Sequence, residues 1–149
     1  FTLVELLVVV VIISLAIAVF YTVFITNWQA YQMHITRTNL WEEADAIMEM
    51  VSLRGRDMRQ IDVAVGGDNQ SVTMRDFSGQ PTATFVMTAA GEFQLQDGEQ
   101  VSALSQHLDY NRSSFIKSGK SLLMTLVLTD KGFIHPVVVE TATEIFPRN

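Results

Sequence analysis

A chain of 149 residues with 48% apolar content, a formal net charge of -6 and no cysteine has room for one modest core beside any long hydrophobic segment. The acidic balance argues against a broad phosphate-binding surface, which needs clustered Lys and Arg, although a local basic patch stays open. Without cysteine neither disulfides nor thiolate metal sites operate, and redox usage says nothing about the compartment.

The apolar content is concentrated at the start, where FTLVELLVVVVIISLAIAVFYTVFITNW places Glu5 ahead of a stretch with no Asp, Glu, Lys or Arg until Arg37. About 20 apolar residues cross a bilayer as a helix, and Leu6 to Trp28 meets that length with Ser14, Thr22, Thr26 and Asn27 as mild interruptions. A carboxylate alone in hydrocarbon costs roughly 2.5 to 3.5 kcal/mol on insertion scales, so Glu5 demands a partner. An α-amine such as that of Phe1 is the nearest cation, and a chain opening on Phe reads as a processed mature end or a trimmed sequence. Simple complementarity between Glu5 and the helix dipole, worth about 0.3 to 1 kcal/mol at an exposed site, does not account for an acid heading an unbroken apolar run. A secretory signal peptide, for which Ala16-Ile17-Ala18 has the cleavage-site form, fits poorly, because a basic n-region is lacking and the apolar run continues through Ile25.

Phe1-Thr2-Leu3-Val4-Glu5-Leu6-Leu7-Val8-Val9, followed by this apolar run, resembles the mature N-terminus of type IV pilins and type II secretion pseudopilins. The resemblance covers the first tenth of the chain. It implies that a prepilin peptidase cuts before Phe1, that the new amine is N-methylated, and that Glu5 meets the terminal amine of a neighbouring subunit during assembly. Thr2 adds a hydrogen bond there or satisfies its hydroxyl on its own backbone. An assembly ATPase, a platform protein and a mixed or homo-oligomeric filament with other pilins are likewise implied. So is residence in the bacterial inner membrane before assembly, then in a periplasmic or extracellular filament. The chain departs from the family in two respects. It lacks the C-terminal disulfide of many major pilins, and Ser14 and Thr22 stand where a helix-loosening glycine and proline often occur, so a continuous helix is expected there.

No Gly or Pro interrupts Phe1 to Val51, and a helix is expected to run to about residue 60, some ~90 Å. Its second half is amphipathic, with Leu40, Ala44, Ile47, Val51 and Met58 on a 3.6-residue stripe and Glu42, Glu43, Asp45 and Glu49 mainly off it. Arg54, Arg56 and Arg59 suit the exposed carbonyls of the C-terminal end. Gly55 reads as a close packing contact or an early helix end.

After Ile61 the period becomes two, with turns at Gly66-Gly67-Asp68-Asn69, Ser78-Gly79-Gln80-Pro81, Ala90-Gly91-Glu92 and Asp97-Gly98-Glu99. Strands are expected near Ile61 to Val65, Ser71 to Phe77, Thr82 to Thr88, Phe93 to Gln96, Leu122 to Thr129 and Phe133 to Val139. The last two would be joined by Asp130-Lys131-Gly132, with Gly132 supplying positive φ. Val101 to Tyr110 reads as a strand or an irregular turn, and Asn111 to Ser114 and Ser118 to Ser121 as loops. The expected class is α+β. Residues 1–28 form a transmembrane or filament-core helix and 29–60 its amphipathic continuation, which packs on an antiparallel sheet formed by 61–149, as in a pilin.

Other motifs carry less. Gly119-Lys120-Ser121 echoes a phosphate-binding loop, but Ser114 stands where the earlier glycine is needed and a strand follows. His34, His107 and His135 lack ligand spacing, and Asp68-Asn69 and Asp97-Gly98-Glu99 lack the alternating oxygens of a calcium loop. No catalytic, cofactor-binding or metal constellation can be defended from spacing, so a non-enzymatic structural subunit is expected. Phe1, Thr2 and Glu5 are its assembly residues, and a tip-located recognition module for surface, DNA or secreted substrate is the alternative.

Overall fold

The computed structural model describes residues 2–59, 62–132 and 136–148. Among the described residues it holds one α-helix and eight strands in the order α1 (Leu3–Asp57), β1 (Val63–Val65), β2 (Ser71–Arg75), β3 (Pro81–Met87), β4 (Phe93–Asp97), β5 (Gln100–Ser105), β6 (Ser114–Ser118), β7 (Ser121–Asp130) and β8 (Val137–Ile145). Two compact units divide the chain, Phe1–Thr36 and Arg37–Asn149, so the amphipathic half of α1 belongs with the strands.

In the first unit α1 runs unbroken through Ser14 and Thr22, as the absence of Gly and Pro permits. The helix is long and apolar enough to cross a membrane, and none of its most hydrophobic window is buried within the chain.

In the second unit α1 buries Leu40, Ala44, Ile47, Met48, Val51 and Gly55. The expected stripe is therefore present but wider, and Met58 lies half-buried beyond the helix end. The helix stops at Asp57, short of residue 60, with Arg54 and Arg56 in its last turn, where a cation complements the helix dipole. Gly55 sits inside the helix as a packing contact. A β-carbon there would fall 2.9 Å from Ile145 Cγ2 and 3.8 Å from Met74 Cε.

The strands form two antiparallel sheets rather than one. β1 to β5 make a five-stranded meander and β6 to β8 a three-stranded one. Alternation sets the inward faces: Val72 and Met74 on β2, Ala83, Phe85 and Met87 on β3, and Leu122, Met124, Leu126 and Leu128 on β7 are buried. Register stacks these in layers, for instance Val72 opposite Phe85 and Phe115 opposite Met124. Both sheets and α1 contribute to one core, in which Phe85, Phe93 and Phe115 lie at centroid separations of 6.0 and 6.2 Å. The sheets are tied where Phe115 N donates to Asn69 O at 2.7 Å and Lys117 Nζ donates to Val63 O.

Two expectations are corrected, and the alternatives left open for Val101 to Tyr110 are resolved. Ser114–Ser118 is a strand, because it pairs along its whole length with β7. Gln100–Ser105 is a strand closing on β4, while residues 106–113 leave the sheet and return through a single bridge between Leu108 and Leu128. β8 continues to Ile145, and its first pair is Asp130 with Val137. Gly132 does not have positive φ, and its N–H instead donates to Asp130 Oδ1 at 2.7 Å. Phe133, with Ile134 and His135, lies outside the described residues. Elsewhere the expected turns hold, with positive φ at Asn69, Gly79, Gly91 and Gly98.

Candidate functional site

The first turn of α1 gathers Thr2 and Glu5. Thr2 N donates to Glu5 Oε2 at 2.7 Å, Thr2 Oγ1 to the same oxygen at 3.2 Å, and Glu5 N donates to Thr2 Oγ1 at 3.3 Å. Leu6 N reaches Thr2 O at 3.3 Å to open the helical ladder. This reciprocal arrangement is a capping box, in which an N-cap hydroxyl and an acid three residues on satisfy each other's backbone donors. Thr2-Leu3-Val4-Glu5 carries the spacing of this box in the sequence itself. Thr2 therefore meets Glu5 in its own chain. A carboxylate offers roughly four lone-pair positions, so two donors leave room for a cation. Phe1, the expected source of that cation, lies outside the described residues.

Beyond the cap, α1 presents apolar side chains around its circumference: Leu6, Leu7, Val8, Val9, Val10 and Val11, which follow one another round the helix, are all exposed. Such a surface finds its stable environment in lipid or in other helices. The polar interruptions are disarmed within the helix. Ser14 Oγ donates to Val10 O at 2.8 Å, Thr22 Oγ1 to Ala18 O at 2.9 Å and Thr26 Oγ1 to Thr22 O at 2.9 Å, so none of these hydroxyls needs water.

On the second unit, a cleft of about 540 Å³ opens between the β3–β4 turn at Ala89 to Gly91, the connection Gln106 to Asn111 and the end of β7 at Thr129 to Lys131. Its backbone is well braced: Leu108 N donates to Gly91 O at 2.9 Å, Asp109 N to Val127 O at 2.8 Å and Thr129 N to His107 O at 2.6 Å. His107 also lies 3.3 Å from Glu43 of α1.

The remaining sequence candidates have structural roles. Gly119-Lys120 is the two-residue loop of a hairpin closed by Ser118 opposite Ser121, with Gly119 at φ +55. Gly98-Glu99 does the same between Asp97 and Gln100. Asp68 Oδ1 caps its own turn by accepting from Gln70 N at 3.1 Å. Of the arginine cluster, Arg54 lies 3.5 Å from Asp97. Arg59 holds Asp62 at 2.7 Å and rests 4.5 Å over the Phe77 ring, and the Asp62 carboxylate raises its pKa further. Arg54 and Arg59 thus each stand beside a carboxylate. His34 lies on α1, His135 lies outside the described residues, and among the described residues no group of three or more His, Asp or Glu could hold a metal.

No protein-family model matches the chain, and no curated protein or solved structure matches it.

Proposed function

We propose that the chain is a structural subunit of a type IV pilus or a type II secretion pseudopilus, held in the inner membrane by its N-terminal helix and then packed with like helices in a filament. One observation carries this reading: an unburied apolar helix surface headed by a single acid, Glu5, whose partner among the described residues is Thr2 of its own first turn. Hydrophobic burial between helices supplies cohesion. The acid supplies register, since a carboxylate removed from water needs a cation close by, and stripping one member of a buried pair costs roughly 3 to 5 kcal/mol. The resemblance of Phe1 to Val9 assigns that cation to the amine of a neighbouring copy. Head-to-tail contacts of this kind propagate as a helical fibre. Prepilin peptidase, assembly ATPase and platform protein are the partners this reading requires, and no catalysis is asked of the chain.

Electron microscopy of sheared surface fibres probed with antibody to this chain tests the proposal. Label along wild-type fibres, lost in Glu5→Ala while the membrane-held pool persists, supports it. A chain that stays in the membrane, with Glu5→Ala behaving as wild type, sinks it.

The braced cleft favours a second reading, a minor pilin at the filament tip that uses its loops for recognition. Its lining mixes His107, Asp109, Tyr110, Asn111 and Lys131, a set suited to polar ligands. Label confined to fibre tips at trace abundance selects this reading over the first.

A further inference from the structure

Along one side of α1, Phe24 and Trp28 stack with centroids 6.5 Å apart and planes 17° from parallel, and Trp28 and Tyr31 follow at 6.4 Å. All three rings are exposed. They stand where the helix changes character: Leu6 to Ile25 is apolar apart from Ser14, Tyr21 and Thr22, whereas Asn27, Gln29, Gln32, His34 and Arg37 follow. The indole N–H and phenol O–H need hydrogen-bond acceptors, which ester carbonyls and interfacial water provide and acyl chains do not. Trp and Tyr accordingly settle at the boundary between hydrocarbon and headgroups.

The spacing to Glu5 matches that boundary. From Glu5 to Trp28 the helix advances 28 minus 5 residues, about 35 Å at 1.5 Å each, against a hydrocarbon core of about 30 Å. With Trp28 at one interface, Glu5 reaches the headgroups of the other, where its capping-box geometry persists without burial in hydrocarbon. A chain inserted one helical turn deeper at its N-terminal end would draw Trp28 into the core, and one inserted one turn shallower would draw Glu5 in.

We propose that Phe24, Trp28 and Tyr31 form a docking surface for lipid headgroups that fixes the insertion depth of the unassembled chain, holding Glu5 in the opposite interface. This rests on the membrane-held state of the preceding section but not on filament formation. Glu5 then enters an apolar environment only when the helix leaves the bilayer for its neighbours, so its desolvation is confined to the step at which a cation arrives.

Full-length chain carrying Trp41→Phe, which leaves Trp28 as the sole tryptophan, is reconstituted in phosphatidylcholine vesicles at low protein-to-lipid ratio. Quenching is then compared for lipids brominated near the carbonyl and near the acyl terminus. The expected result is quenching about threefold stronger by the shallow label, as an interfacial ring requires, with Phe24→Ala and Tyr31→Ala together narrowing that preference. Stronger quenching by the deep label overturns the proposal. So does loss of quenching as protein-to-lipid ratio rises, which would seat the aromatic side on another copy. Quenching by neither label overturns the membrane-held state as well. Because the vesicles contain no other component, a shallow Trp28 in a chain that forms no fibres in cells leaves this inference standing while the filament reading falls.

Discussion

Thr2 and Glu5 close on each other across 2.7 Å, the threonine N–H pointing at the carboxylate that the apolar helix carries alone. Two roles thus meet on one side chain, capping the helix and offering charge to a neighbour, and substitution separates them. Glutamine at the third helical position completes a capping box as glutamate does. Glu5→Gln should leave the first turn intact, with amide exchange at Leu6 unchanged in detergent micelles, yet abolish labelled fibres. Thr2→Ala should do the opposite, loosening the first turn by about 0.5 to 2 kcal/mol while fibres still form. Fibres of normal yield from Glu5→Gln would reduce the acid to a helix cap.

Gly55 is fixed by what stands over it. Alanine gains roughly 0.8 to 1.0 kcal/mol of helix propensity over glycine in an exposed interior, but here the added carbon would lie 2.9 Å from Ile145 Cγ2. That methyl is on a β-branched side chain of a paired strand and is fully buried, so it has little freedom to yield. Gly55→Ala is expected to destabilise rather than stabilise, and Gly55→Val to cost about 1 to 3 kcal/mol through overpacking. Urea unfolding of the full chain in micelles reads both. Ile145→Leu removes the offending branch, so it should recover part of the Gly55→Ala loss.

The helix was legible because its cause is local. No breaker occurs before Gly55, and the stripe from Leu40 to Val51 repeats at the helical period, so composition and spacing suffice. The strands that escaped notice owe their form to partners. Phe115-Ile116-Lys117 is too short to display a period between two polar stretches, and becomes β6 only through pairing with Leu122 to Met124. Glu140 to Glu144 looks like a polar tail, yet it extends β8 because one side faces solvent and Ile145 is drawn in opposite Leu122. The division into two sheets was hidden for the same reason. Residues Gln106 to Ser113 are irregular because Leu108 N and Asp109 N go to Gly91 and Val127, long-range bonds that no local spacing announces, while Arg112 N and Ser113 N close a local turn on Asp109 O. At the candidate site the acid stood out by charge alone, while its cap was overlooked beside the apolar run.

Asp76 gives the β2–β3 turn its pH dependence. Its Oδ1 accepts from Ser78 Oγ at 2.6 Å, Ser78 N at 2.8 Å and Gln80 N at 2.9 Å, and the Ser78 hydroxyl, followed by the Gln80 N–H, holds its pKa below the usual carboxylate value of 3.8. A group with a lowered folded pKa adds stability that is present in full above the unfolded value and is lost as pH falls through the folded one. The turn should therefore be unaffected between neutral pH and about pH 5 and loosen below about pH 4, where the unfolded acid begins to take up protons. Carboxyl chemical shifts followed against pH should place Asp76 below the usual aspartate value, and Ser78→Ala should move it upward. An unchanged titration in Ser78→Ala would remove the hydroxyl from the account.

Phe93 is the residue through which the two sheets share a core. It sits on β4, 6.0 Å from Phe85 on β3 and 6.2 Å from Phe115 on β6, and all three rings are wholly buried. Offset and tilted aromatic pairs add about 0.5 to 1.5 kcal/mol beyond area burial, and removing a buried phenyl costs about 3 to 5 kcal/mol in total. Phe93→Ala should lower the unfolding free energy of the full chain in micelles by that amount, and Phe93→Leu by clearly less, since most of the volume remains. The ring touches one partner in each sheet, so the Phe93→Ala and Phe115→Ala effects should fall short of additivity by about 0.5 kcal/mol or more. Strict additivity would mean that the three-stranded sheet folds against α1 independently of Phe93, and the aromatic bridge would then carry no coupling between the sheets.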